Sequence, residues 1–174
     1  TVASMLEVMK TAANDPAARA AMLDPYTLST DRGAEPELGA QPDIAWRKGA
    51  QIAPELAGVW TGAFVMGAAN TRIVRRSNAL LDWSYGRRFA YSEVMSMGSS
   101  PLAPVAAAVG TATNAAVFAL GTRYFDKVPD RLVQRIVPQP GTGPSEATRE
   151  RGHYTVETYT TTTTGARYRT TMAQ

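Results

Sequence analysis

The sequence predicts an α+β fold, with a mixed or mostly antiparallel sheet packed with helices on one face. Three stretches carry that expectation. From His153 onward, Tyr154, Val156 and Thr158 alternate with His153, Thr155, Glu157 and Tyr159, the period of two that marks a strand. Between Pro101 and Phe125, the residues Leu102, Val105, Val109, Ala112, Ala116, Phe118, Leu120 and Phe125 keep helical spacing. From Phe64 to Leu81 the apolar positions Phe64, Ala68, Val74 and Leu81 do the same on a segment that also carries three arginines, which predicts an amphipathic helix.

Taken from the start, Ser4 to Ala13 reads as a helix, with Ser4 as its cap, Glu7 three residues on as in a capping box, and Met5, Leu6, Val8 and Met9 as its apolar side. Asp15-Pro16 opens a second helix, Asp as cap and Pro at the first helical position, and Asp24-Pro25 breaks it. Thr27 to Pro42 is a surface loop by composition, with two prolines, two glycines and several acids. One strand is expected around Trp46 to Ile52 and a glycine-flanked one around Val59 to Val65, while Pro54 argues against a central strand at that point. Gly62 and Gly67 allow close backbone approach, which packing explains better than a ligand does.

Tyr85 to Met97 reads as a further strand, burying Phe89, Tyr91 and Val94 and turning Glu93 toward the arginines. The many small residues of the Pro101–Phe125 helix imply tight packing on both sides, against a sheet or a partner chain. Their pattern is not a heptad. Pro129 opens a short helix that runs to Ile136 and is ended by Pro138. PQPGTGP, from Pro138 to Pro144, is a rigid connector; Gly141 and Gly143 do not make a phosphate loop, since no strand precedes them and no Lys-Ser follows. Ser145 caps a helical turn that ends at Gly152. His153 to Gln174 is a hairpin turning at Gly165, with a strongly β-forming run of five threonines from Thr160. Placing Tyr154 and Val156 on the face of Tyr168 and Met172 requires a loop of odd length, and three residues fit.

With 174 residues the chain suits one domain with a single core. The absence of cysteine excludes disulfides, thiolate metal sites and cysteine nucleophiles, and fits a reducing, cytoplasmic setting. A net charge of +3, from 18 basic and 15 acidic residues, is too balanced to point to nucleic acid. No run approaches about 18 uninterrupted apolar residues, so no integral membrane segment is expected. His153 is the only histidine, which rules out a histidine metal cluster or a His-His acid/base pair within this sequence.

The candidate chemistry lies in the Gly58–Glu93 stretch. Arg72 and Arg76 are four apart and share a helix face, with Arg75 beside them. A guanidinium fork matches carboxylate or phosphate geometry, so the cluster is a candidate anion site. Asn70, Thr71 and Ser77 add short hydrogen-bonding groups. Tyr85, beside Gly86 and Arg87-Arg88, places a phenol near such an anion or else packs in the core. The competing reading pairs the arginines with the protein's own Asp and Glu residues. The candidate substrate-binding set is therefore Asn70, Arg72, Arg75, Arg76 and Tyr85, with no catalytic, cofactor-binding or metal-ligating residue.

The same residues carry a resemblance. WTGAFVMGAANTRIVRRSNALL, then YGRRFAYSE, then PQPGTGPSEATRERGHYTVETY with TGARYRTTMAQ resemble the C-terminal part of the saccharopine dehydrogenase-like oxidoreductases, a family that includes bacterial trans-acting enoyl reductases. The resemblance implies a substrate-binding and oligomerisation domain that follows a dinucleotide-binding domain, in an NAD(P)-dependent and homodimeric parent. The glycine-rich GATGFTG-like turn of that first domain and the GDPGY-like segment beyond the last strand are not in this sequence. An excised domain, inactive alone and without its own cofactor, is the expectation, acting on a small or carrier-linked substrate. A non-enzymatic dimerisation or interaction domain with structural arginines is the alternative.

Overall fold

A computed structural model describes residues 2–35, 46–129, 131 and 143–174, and these fall into two compact units, Thr1–Pro129 and Asp130–Gln174. In the first unit, α1 (Val2–Asn14) and α2 (Pro16–Leu23) lead to two short 3-10 turns, Gly49–Gln51 and Pro54–Leu56. Strand β1 (Trp60–Ala63), helix α3 (Gly67–Leu80), strand β2 (Val94–Gly98) and helix α4 (Ala103–Tyr124) follow, and α4 tightens into a 3-10 turn at Phe125–Lys127. The second unit holds α5 (Glu146–Arg151), β3 (Thr155–Thr161) and β4 (Arg167–Ala173). The class is α+β, as predicted, and the strands form two separate antiparallel pairs rather than one sheet. The expected Pro129–Ile136 helix and most of the Pro138–Pro144 connector lie outside the described residues.

Local chemistry explains most boundaries. Asp15 adopts an extended backbone and accepts from the Ala17 N–H at 2.8 Å, with Pro16 at the first helical position, as its side chain and the proline ring favour. Helix α1 begins at Val2, so Ser4 sits within its first turn instead of capping it. The expected strand at Trp46–Ile52 is not formed. There the Ile52 N–H bonds the Gly49 carbonyl and the Gln51 N–H bonds the Lys48 carbonyl, so the segment satisfies its backbone through 3-10 turns. It is tied to β1 by a bridge between Lys48 and Trp60, beside stacked Trp46 and Trp60 rings 6.3 Å apart, and by the Thr61 hydroxyl, which donates to the Arg47 carbonyl and accepts from the Arg47 N–H.

The Val59–Val65 strand is present in shortened form as β1, and α3 starts at Gly67 rather than Phe64. Tyr85–Met97 is a strand only over its last part, because β1 has four residues and its last, Ala63, pairs with Val94. Residues 85–93 have no strand opposite them, and turns at Gly86 take over.

The first unit's core is built of small side chains: Met9, Ala12, Ala53, Ala63, Ala79, Ala103 and Ala107, with Thr71 the largest that is fully buried. Helix α4 lies against β1, β2 and α1 through its smallest residues. Thr111 accepts from the Ala63 N–H at 3.0 Å, and Gly121 leaves room for the Met9 thioether. The opposite face of α4 is exposed among the described residues of this chain. Ala103–Lys127 is also long and apolar enough, by length and composition alone, to cross a membrane, with a mean hydropathy of 1.5.

The hairpin of the second unit turns as its side-chain pattern demands. Val156 faces Met172, Thr160 faces Tyr168, and Tyr154 exchanges two backbone bonds with Gln174. Thr162 and Ala166 also bond, leaving a three-residue loop at 163–165, with Gly165 in the left-handed region at φ +84. On the other face Glu157 accepts from the Tyr159 hydroxyl at 2.7 Å and from Arg169, which together hold its carboxyl below the usual range. Ser145 accepts from the Thr148 N–H and caps α5, which Gly152 ends, as the sequence implies.

Candidate functional site

The arginine cluster lies on α3, and each of its three arginines donates to a main-chain carbonyl. Arg72 donates to the Met22 carbonyl, Arg75 to that of Pro25 at 3.0 Å, and Arg76 to that of Leu28 at 2.9 Å. The acceptors are three residues apart, as the donors are spaced along one helical turn. Met22 lies in the last turn of α2, whose carbonyls have no intrahelical partner and form the negative end of the helix dipole. Pro25 and Leu28 lie in the turns that follow. The chain there makes few backbone bonds of its own, and guanidinium N–H groups complete them.

Tyr26 sits between two of the cations. Arg32 lies 4.6 Å and Arg75 5.3 Å from its ring centroid, and Arg32 also pairs with Asp24 at 3.5 Å. Farther along, Arg87 donates to the Ala34 carbonyl at 3.2 Å and stacks over Trp83 at 4.4 Å. Arg75 is buried and Arg76 exposed. The row is a strap that binds residues 22–34 to α3. The sequence suggests ion pairing of the three arginines to the protein's own acids as an alternative to a ligand, and each of the three also bonds a main-chain carbonyl.

Asn70 and Tyr85, the other two candidate residues, stand apart from the strap. Asn70 donates to Glu93 at 2.9 Å, and Glu93 also accepts from the Tyr91 hydroxyl at 2.7 Å. Glu93, expected to face the arginines, is bonded instead to Asn70 of α3 and to Tyr91. Burial, then the hydrogen bond to Glu93 and its charge, push the Tyr91 phenol up to about 12. Tyr91 is therefore a proton holder at neutral pH.

The sign of the linkage is definite: the folded state binds this proton more tightly than the unfolded chain, whose phenol titrates near about 10. The associated stability is complete below about pH 10 and is lost as pH rises through about 12. In an alkaline titration followed by tyrosinate absorbance, Tyr91→Phe should remove a phenol that ionises at about 12. It should also flatten the fall in stability between those pH values; an unchanged profile would contradict the Tyr91–Glu93 bond.

Tyr85 shares a 2.9 Å hydroxyl contact with Ser77, and its ring meets Phe89 edge-on at 5.4 Å. Its N–H is accepted by the buried Asn78 side chain at 2.9 Å, which also donates to the Gly86 carbonyl. Asn78 holds a turn in which Asp82 and Trp83 both have φ of 56, a conformation that costs energy for non-glycine residues. Asn78, Tyr26, Tyr91 and the three carbonyl acceptors are the groups that sequence reasoning missed. Only Asn78 left a signal, one helical turn past Val74 and just ahead of a Gly-containing turn. In the second unit, Thr148, Arg151, Gly152 and His153 line a shallow depression of about 360 Å³. Among the described residues no cluster of acids and histidine has metal-site geometry.

By class, then, this is an α+β scaffold organised on an arginine-bearing helix. Comparison with known proteins narrows it. Over all 174 residues the chain is 66% identical to a protein of Mycobacterium tuberculosis strain H37Rv provisionally named a trans-acting enoyl reductase, covering 42% of that relative. It is 65% identical over 173 residues to the trans-acting enoyl reductase of Mycobacterium bovis BCG, covering 99% of this chain and 41% of the relative. The Mycobacterium ulcerans protein of the same name is 60% identical over 173 residues and is covered to the same 41%. The chain thus spans about two fifths of the length of these relatives. No family profile and no solved structure matches it.

Proposed function

We propose that this chain is the substrate-side and assembly part of an NAD(P)-dependent enoyl reductase of the saccharopine dehydrogenase-like kind. The carrying observation is the 65–66% identity to trans-acting enoyl reductases along essentially its whole length. The relatives' epithet, trans-acting, suits a reductase that meets its enoyl group on a separate carrier protein.

The described residues do not fit a dinucleotide themselves. The link from β1 to α3, Phe64–Met66, has no glycine of its own, and Gly67 is buried at the start of α3. The nicotinamide is therefore assigned to residues outside this segment. It supplies the hydride, and these residues place the substrate. Arg76, the exposed member of the row, keeps N–H donors beyond its carbonyl bond, since a guanidinium has five, and is the proposed anion contact. Arg72 and Arg75 lie on the same helix as that contact, and Asn70 and Tyr85 complete the proposed substrate-binding set.

The test is consumption of NADPH or NADH by the full-length parent protein with 2-enoyl thioesters of short to long chain. Oxidation that depends on the enoyl substrate is expected, with Arg76→Ala raising KM several-fold. No turnover with any of these substrates would overturn the enzyme reading.

One observation favours a second reading, a non-catalytic interaction domain: each arginine of the row is engaged with a backbone carbonyl. On that reading Arg76→Ala leaves KM unchanged.

A further inference from the structure

Helix α4 buries its smallest residues and displays its largest. Ala103 and Ala107 are fully covered, while Leu102 is 74%, Val105 60%, Val109 59%, Val117 52% and Leu120 58% exposed. At 3.6 residues per turn, Leu102, Val105, Val109, Thr113, Val117, Leu120 and Tyr124 fall on one third of the helix circumference. The row is about 33 Å long, at about 1.5 Å per residue, and is apolar except for the Thr113 hydroxyl and the Tyr124 phenol. Its charged neighbours among the described residues lie at the far end: Arg123, at the edge beside Val105 in angle, and Lys127, whose ammonium is 5.3 Å from the Tyr124 ring centroid. A single exposed apolar residue needs no explanation, but a contiguous row of this length marks an interaction surface.

The order of residues along the stripe identifies the occupant. Counted from Thr113, Val109 and Val117 lie four residues to either side, and Leu102 and Tyr124 eleven to either side. Val105 is eight before and Leu120 seven after. Five of the seven positions are therefore symmetric about Thr113, with short side chains in the middle and large ones at the ends, while Val105 and Leu120 are mirrored by Gly121 and Ala106. Thr113 suits the central place. Its side chain is short enough for close approach, and a helical threonine hydroxyl can be satisfied by the carbonyl four residues back in its own helix.

A symmetric pair requires the same patch on both subunits, with each residue meeting its mirror position. We propose that α4 packs against α4 of a second copy of this chain, antiparallel, about a two-fold axis at Thr113. Val109 then meets the partner's Val117, and Leu102 meets the partner's Tyr124.

The inner face of α4 argues for this occupant over lipid. Thr111 is bonded to the β1 backbone, and Met9 fills the space above Gly121, so the helix offers one side only. A lone membrane-spanning helix offers its whole circumference. The inference concerns assembly and is independent of the enzymatic reading.

The sequence lacks cysteine, so engineered thiols report cleanly on the geometry. At an interaxial distance of about 8–10 Å, with α carbons about 2.3 Å from each axis, the two Thr113 α carbons approach to about 5 Å at the wider setting. That lies within the range a disulfide spans. Mild oxidation of the full chain should cross-link Thr113→Cys to itself but leave Leu120→Cys uncross-linked, because its two copies are about 21 Å apart along the axis. A parallel pair would cross-link both. Light scattering should give a dimer at micromolar concentration, and Val109→Glu with Val117→Glu should give a monomer with an unchanged circular dichroism spectrum.

A monomeric wild-type chain would overturn the proposal, as would equal cross-linking at both sites. So would flotation of a wild-type monomer with phosphatidylcholine–phosphatidylglycerol vesicles that the double glutamate variant abolishes, which would assign the stripe to lipid.

Discussion

Replacing Arg75 by Ala is expected to destabilise the protein by about 2–4 kcal/mol, read as a shift in the urea midpoint at constant slope. Two losses add. A hydrogen bond from a charged donor to a carbonyl contributes about 1.5–3 kcal/mol, and the Pro25 carbonyl would be left without the bond at 3.0 Å. The contact with the Tyr26 ring, at 5.3 Å from centroid to guanidinium carbon, contributes roughly 0.5–1 kcal/mol more. Arg76→Ala is the internal comparison, since the same bond made by an exposed side chain should cost about 0.5–1 kcal/mol.

Limited proteolysis gives a second readout. The strap holds residues 22–34, so the Arg75 variant should be cut there faster than wild type at a denaturant concentration where both are folded. Equal stabilities of the two variants would mean that the strap is not what fixes this segment.

Gly49→Ala is expected to be as damaging, at about 3 kcal/mol, with a melting temperature lower by about 6–12 °C. A Cβ there would lie 2.2 Å from the Leu56 carbonyl oxygen and 2.9 Å from that of Val59. Both obstacles are backbone, and the Gly49 N–H is itself bonded to the Val59 carbonyl at 2.8 Å, so neither side can yield without breaking the turn. Gly143→Ala, whose Cβ would meet nothing within 4 Å, serves as the control and should leave stability unchanged within about 0.5 kcal/mol. A neutral Gly49→Ala would contradict the close approach of the two 3-10 turns to β1.

What the sequence determined by itself was local: the Asp15-Pro16 cap, the Ser145 cap, the span of α4, and the hairpin with its three-residue loop and its face assignments. Each follows from interactions within a few residues or from a strict period, and both are written in the order of side chains. The strands were harder to place because a strand needs a partner. Tyr85–Met97 alternates well enough, yet β1 is too short to pair with more than its end. Trp46–Ile52 met its backbone needs through 3-10 turns instead.

The candidate site was legible as a set of donors and not as a set of contacts. Three arginines on one helix announced an anion, whereas each of them meets a carbonyl, a group that every residue carries and no sequence pattern distinguishes. Only the tertiary structure decided that Met22, Pro25 and Leu28 present those carbonyls, because only there does the end of α2 lie across α3. It also decided which face of α4 is covered. Alanine and glycine let β1 and α1 come close, and that approach, rather than hydrophobicity, turned the valines and leucines outward.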